Sequence, residues 1–156
     1  MPKIAVLYDA GQAVLSTFDP DEVLQRILAI ARNYFHLQNV AILLLDKENQ
    51  QLYVRSQIGW DEGKDKIPLE YGKGLAGAAA SKRQPVYAPD VTRDARYVCS
   101  AQSTRSELAI PLMFRDEVVG VLDCQSENLE HFDAETIDLL MLFSTQASIA
   151  LQNARL

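Results

Sequence analysis

Apolar residues at Ile4, Leu7, Val14 and Phe18, with Gly11 on the same line, follow three-and-four spacing and predict an amphipathic helix over 1–18. A second helix is signalled directly after it. Asp19 suits the N-cap, Pro20 the first helical position, and Glu22, three residues after the cap, completes a capping box. Behind these, Val23, Leu24, Ile27, Leu28, Ala31, Tyr34 and Phe35 form one wide apolar stripe that a sheet must cover. The period then changes. Val40 to Asp46 is apolar almost throughout, as in a strand buried on both faces, and Lys47 to Gln50 is a polar turn. Leu52, Val54, Ser56 and Ile58 alternate as one face of a second strand, so the pair is an antiparallel hairpin.

From Gly59 to Lys66 the pattern dissolves into a polar loop, followed by Ile67-Pro68-Leu69, Gly72 and Gly74. A short Ala-rich helix is expected from Leu75 to Lys82, ended by Pro85, and Val86-Tyr87-Ala88 allows only a short strand. Pro89 to Ser106 is long, polar and without period, a length that compact domains usually reserve for binding loops. Glu107 to Phe114 and Val118 to Gln125 form another hairpin across Arg115-Asp116-Glu117. The last helix runs from about Asp133 to the end of the chain. This order predicts an α+β fold. A central antiparallel sheet of five or six strands carries the long N- and C-terminal helices on one face, with loops and the short helix on the other. A cavity between sheet and loops is the natural ligand site.

The chain has 156 residues, enough for one domain with a single sufficient core, and 48% of them are hydrophobic. A net charge of −6 without a basic stripe argues against nucleic acid as a partner. No apolar run approaches the roughly 20 residues of a membrane span, and Met1-Pro2-Lys3 does not open a signal peptide. Cys99 and Cys124 lack CxxC spacing and neighbouring histidines, and His36 and His131 have no ligand-spaced partners, so no metal site is expected. Thiols used this way suit a cytoplasmic protein in which they serve as small apolar fillers. Gly72-x-Gly74-x-x-Gly77 matches a dinucleotide fingerprint, with Asp90 where an acidic ribose partner would be sought. The parallel βαβ unit that gives the fingerprint its meaning is absent, since a Pro68-containing stretch precedes it and only a short helix follows.

Taken in order, Gly72-Lys73-Gly74-Leu75-Ala76-Gly77, Gln84-Pro85-Val86, Ser106 to Leu112, Val118 to Asp123 and Phe132-Asp133 resemble the GAF domains, small-molecule sensory modules of signalling proteins. The glycines also have a plain backbone use, close turning at a pocket mouth, with Gly120 avoiding a clash where strands cross. Pro111 is expected to break the ladder of its strand. The resemblance implies a regulatory domain of a larger protein, such as a sensor histidine kinase, that is not itself an enzyme and for which no cofactor is named. One enzymatic branch, the free methionine-R-sulfoxide reductases, carries a catalytic cysteine where this chain has Cys99, ahead of an acidic residue matched by Glu107. Its further cysteine is replaced by Ala76 and a second acidic residue by Gln125. A redox enzyme using Cys99 is the alternative expectation, and the loss of that thiol and carboxylate is why a domain without enzymatic activity is expected instead. Bilin attachment is not expected because Ser100, not His, follows Cys99, and the Asn-Lys pair of cyclic-nucleotide binders is broken by Leu129 after Asn128.

Alternation places Glu107, Ala109, Asp123 and Gln125 on one face, and Leu108, Ile110, Leu122 and Cys124 on the helical face. Together with Leu75, Tyr87, Tyr97 and Cys99, which close from the loops, the first four make up eight candidate ligand-binding residues. Two roles stay open for Glu107 and Asp123: ligand contact, or hydrogen bonds to loop amides that hold the cover in place. The final helix carries two stripes, one through Ile137, Leu140, Ala147, Leu151 and Ala154, the other through Leu139, Leu142, Phe143, Ile149 and Leu156. One sheet face covers only one stripe, so the other is expected to join a partner subunit in a homodimer.

Overall fold

The computed structural model describes residues 19–154. The helix expected over 1–18 lies outside the described residues, as do Leu156 and the side chain of Ala154. Helix α1 (Pro20–Phe35) is capped by Asp19, whose carboxylate accepts from the Asp21 amide at 3.0 Å, and Glu22 pairs one turn on with Arg26. It leads to strands β1 (Asn39–Asp46) and β2 (Gln51–Ile58), joined by the Lys47–Gln50 turn. A two-residue strand β3 (Leu69–Glu70), helix α2 (Gly74–Lys82) and strand β4 (Val86–Ala88) follow. Strands β5 (Ser106–Phe114) and β6 (Glu117–Ser126) precede the final helix α3 (Ala134–Ala154). Asp133 caps α3 by accepting from the Thr136 amide at 2.8 Å.

The six strands form one sheet in the order β3-β2-β1-β6-β5-β4, and every neighbouring pair is antiparallel. The sixth strand arises because Leu69-Glu70, just after the polar loop of Gly59 to Lys66, pairs with Leu52 and Gln51. The β5–β6 connection is tighter than expected: only Arg115 and Asp116 turn, both at positive φ (51° and 64°), the two-residue geometry that matches strand twist. Pro111 stays in register with Val121, and the irregularity falls beyond it, between Leu112 and Met113. Its missing N–H is tolerated because β4 reaches only as far as Ala109 along that edge of β5.

Each face of the sheet has its own apolar cluster. Leu24, Ile27 and Leu28 of α1 and Leu140, Phe143 and Leu151 of α3 pack with Val40, Ile42, Leu108, Ile110, Leu122 and Cys124. Phe35 meets Phe143 edge to face at 6.2 Å between ring centroids. Each such fully buried side chain stabilises the fold by about 1.5–3 kcal/mol relative to exposure. The second cluster sets Leu75, Ala76, Ala79 and Ala80 of α2 against Ala41, Leu43, Ala109 and Val121 on the opposite face.

Two expectations about faces need correction. In β2 the register slips so that Ile42 opposes Ser56 while Leu43 opposes Val54, leaving Arg55 as an extra residue. This bulge reverses the alternation: Leu52 and Val54 pack with the α2 cluster, whereas Ile58 joins the cluster under α1. In α3, Phe143 is fully buried and Leu139 packs against the core, so the uncovered apolar residues are Met141, Leu142 and Ile149. Gly120 meets a strict requirement, because a Cβ there would lie 2.2 Å from the Leu43 carbonyl oxygen on β1. No helix among the described residues is long and apolar enough to cross a membrane.

Candidate functional site

Strands β5 and β6 set Glu107 opposite Gln125 and Ala109 opposite Asp123, which brings the polar side chains together on the face away from α1 and α3. The segment Pro89–Arg105 crosses above them. Its ends are tied by backbone bonds from Val91 N to Arg105 O (2.9 Å) and from Arg105 N to Ser126 O (2.8 Å). Its middle is clasped by Asp61, in the loop after β2, whose amide donates to Ser100 O at 2.9 Å and whose carboxylate accepts from Gln102 N at 3.0 Å.

Between sheet and cover lies a cavity of about 100 Å³. Leu43, Glu107, Asp123 and Gln125 contribute from the sheet, and Gly74, Leu75 and Ala76 from the start of α2. Val98, Cys99 and Ser100 close it from the cover, while Trp60, Lys64, Ile67 and Leu69 form the remaining side. The start of α2 comes this close because Gly77 has no side chain; a Cβ there would sit 2.8 Å from the Glu70 carbonyl oxygen.

Gln125 ties floor to cover. Its amide nitrogen donates to Asp123 Oδ2 (2.6 Å) and to Ser100 Oγ (2.7 Å), and its oxygen accepts from Thr104 Oγ1 (2.6 Å). Glu107 and Asp123 share a hydrogen bond and are both sealed from solvent, at 4% and 1% exposure. Burial, then the Asp123 charge, holds the Glu107 carboxyl well above its ordinary range. Asp123 is also raised by burial, partly offset by the hydrogen bonds from Glu107 and Gln125. Glu107 Oε1, Asp123 Oδ1 and the Trp60 indole N–H have no hydrogen-bond partner among the described residues. Nor do the amide atoms of buried Asn39, which neighbours Gln125 in register but does not border the cavity.

Five of the eight residues proposed from sequence border this cavity: Leu75, Cys99, Glu107, Asp123 and Gln125. Tyr87 does not. It opposes Leu108, a helical-face residue, and so turns the same way; its ring packs edge to face on Phe132 at 5.7 Å and its hydroxyl accepts from Phe132 N at 3.2 Å. Ala109 lies on the floor face but is covered as part of the α2 cluster. Tyr97 packs against that cluster beside Cys99, with its hydroxyl directed to Ala101 O at 3.4 Å. Burial, followed by Cys99, raises the Tyr97 phenol. Neither Glu107 nor Asp123 is bonded to a loop amide; side-chain bonds from Gln125 hold the cover. Sequence reasoning missed Trp60 and Lys64, although a lone tryptophan in an otherwise polar loop was a usable signal.

Cys124 sits on the opposite face, where burial and then the charge of Asp123 push its thiol well up. Cys99 is half-buried and faces the cavity. His36 and His131, separate in sequence, border one surface groove, but a ring nitrogen of His131 is bonded to Phe35 O at 2.7 Å. Among the described residues no group of three or more His, Cys, Asp or Glu side chains is placed to hold a metal ion.

An antiparallel six-stranded sheet with helices on one face and a clasped cover over a small cavity on the other defines an α+β module built around a covered cavity. The family model for the GAF domain matches residues 19–151, and the chain belongs to that family. It is 24% identical over 151 residues to a probable 3',5'-cyclic phosphodiesterase, pde-5, of Caenorhabditis elegans, covering 87% of this chain but only 21% of that protein. The GAF domain of a phosphoenolpyruvate-protein phosphotransferase from Coxiella burnetii superposes with a TM-score of 0.90 at 18% identity, covering 99% of this chain and 95% of that one. The free methionine-R-sulfoxide reductase of Neisseria meningitidis, solved in complex with its substrate, superposes with a TM-score of 0.84 at 22% identity, covering 98% and 92% of the two chains. The fold thus occurs both as the GAF domain of a phosphotransferase and as a free methionine-R-sulfoxide reductase.

Proposed function

We propose that this domain binds a small molecule in the cavity beneath the cover and passes the event to the rest of a signalling protein. The observation that carries this reading is Gln125, which joins the buried Asp123 of the cavity floor to Ser100 and Thr104 of the cover. A ligand that takes up Asp123 alters a bond in the same network that holds the cover closed. Coupling of this kind requires the ligand to bind the two arrangements of the cover with different affinity. We place the protein in the cytoplasm, as a homodimer joined through the uncovered Met141, Leu142 and Ile149 of α3, with an output domain such as a histidine kinase attached. The test is native mass spectrometry of protein purified without added ligand, repeated on Leu75→Trp, which fills the cavity. A retained small molecule lost in the variant supports the reading; one retained equally by both is bound elsewhere and refutes it.

The second reading is reduction of a free sulfoxide at Cys99, favoured by the placement of its thiol on the same cavity as Glu107 and Asp123. Ala76 borders that cavity where the enzymatic branch has a further cysteine, and Cys124 is sealed on the other face. Regeneration of Cys99 after each turnover would therefore depend on an external thiol. Reduction of free methionine-R-sulfoxide with a thiol reductant, abolished in Cys99→Ser, would establish this activity; equal background in both excludes it.

A further inference from the structure

We infer that the cavity is entered beneath a flap, residues 61–68 between β2 and β3, and that Asp61 is the latch holding this flap to the cover. The latch governs access, whatever the cavity binds.

Two loops meet over the cavity, and they are held very differently. The cover is tied to the body of the domain along its whole length: Glu130 N donates to Pro89 O (2.9 Å), Arg105 N donates to Ser126 O (2.8 Å), Gln125 bonds to Ser100 and Thr104, and Gln38 bonds to Ser103. It also buries Val91, Ser100, Ala101 and Thr104. The flap buries none of its residues. Among the described residues its hydrogen bonds to the cover are both made by Asp61, whose amide donates to Ser100 O (2.9 Å) and whose carboxylate accepts from Gln102 N (3.0 Å). Its other bonds lie at its own root or inside it. Gln57 Nε2, on β2, donates to Asp65 Oδ2 at 3.3 Å, while Lys64 N and Lys66 N turn back to Asp61 O (3.1 Å) and Gly63 O (3.3 Å).

Local opening follows the path that exposes the least buried surface and breaks the fewest bonds, so the flap yields before the cover. Both of its ends are fixed: Trp60 N donates to Gln57 Oε1 at 3.1 Å, and Leu69 is paired with Leu52 on β2. With the latch broken, the internal bonds let the flap swing between these ends as one piece. Lys64 and Ile67, its share of the cavity wall, leave with it, while the floor and the cover stay in place. The mouth so opened runs between Ile67 and Val98, which border the cavity and are 62% and 49% exposed. Ser100 makes the latch effective, because its carbonyl takes the Asp61 amide while its hydroxyl is held from below by Gln125. Asp61 thus grips a point of the cover that is itself immobilised.

The test reads the rate at which iodoacetamide alkylates Cys99, which is half-buried and borders the cavity, with buried Cys124 as the monitor of global unfolding. Where opening is fast relative to alkylation, that rate follows the population of the open form. Asp61→Ala removes the acceptor for Gln102 N and is expected to speed Cys99 at least about fivefold, the factor that one ordinary hydrogen bond is worth. Asp61→Asn keeps an acceptor oxygen and is expected to stay within about twofold of the unaltered protein. Thr104→Val cuts one tether of the cover but spares the latch, and is expected to stay within about twofold as well, because the other tethers remain. Cys124 is expected to stay unmodified throughout. An unchanged rate in Asp61→Ala overturns the inference, as does a larger gain in Thr104→Val than in Asp61→Ala, or a gain at Cys99 matched by one at Cys124. No ligand is used, so failure here leaves the ligand-binding reading to its own test.

Discussion

Replacing Gln125 by Leu tests the link between floor and cover most directly. The change roughly preserves volume but removes three hydrogen bonds, to Thr104 (2.6 Å), Ser100 (2.7 Å) and Asp123 (2.6 Å). Two of these are neutral, each contributing about 1 kcal/mol, and the bond to the carboxylate contributes about 1.5–3 kcal/mol. All four groups are buried, so the abandoned partners cannot turn to water, and the expected loss is about 3–5 kcal/mol. Because two of the bonds run to the cover, its backbone should open before the sheet does. Urea denaturation should show a lower midpoint with an unchanged slope, and hydrogen exchange should show faster exchange at Thr104 than at Leu122 or Leu108. Destabilisation below about 1 kcal/mol, with unaltered protection of the cover, would refute the reasoning.

Further outcomes follow from the same geometry. Glu107 is raised well above its ordinary range, so its contribution to stability is fully present below the usual carboxyl range and is lost as pH climbs through the raised value. Glu107→Gln, which keeps the hydrogen bond to Asp123, should flatten that loss and raise the melting temperature at pH above neutrality relative to the unaltered protein. Gly120→Ala drives a methyl into the Leu43 carbonyl and should cost at least about 3 kcal/mol in urea titrations, since backbone rather than a mobile side chain must yield. One thiol, Cys99, should react with a disulfide reagent in the native state and two after denaturation, because Cys124 lies in the core under the helices. Leu142→Glu should leave the fold intact and abolish any concentration-dependent dimer in sedimentation, since Leu142 is 54% exposed.

Local pattern carried most of the architecture. Hairpins are visible in sequence because a short polar turn between two apolar runs leaves antiparallel pairing as the only reachable partner, as at Lys47–Gln50 and Arg115-Asp116. Alternation in β5 and β6 sufficed to sort Glu107, Asp123 and Gln125 from Leu108, Leu122 and Cys124, because no bulge interrupts that stretch of ladder. It failed in β2, where one extra residue at Arg55 reverses the faces, and nothing in the local sequence marks the slip.

The contents of the cavity were decided in three dimensions. Tyr87 is lost to it through its register with Leu108, a pairing between strands almost twenty residues apart. Trp60 and Lys64 enter it because the Asp61 clasp draws their loop against Ser100 and Gln102, a contact across roughly forty residues of chain. Side-chain direction along a strand is a local property of the backbone, whereas the meeting of two loops depends on where the whole sheet carries their ends. The sequence by itself therefore determined the two hairpins, the helical face and the polar floor; the tertiary structure alone decided the edge strand β3, the faces of β2, what closes over that floor and which of its oxygens go unpaired.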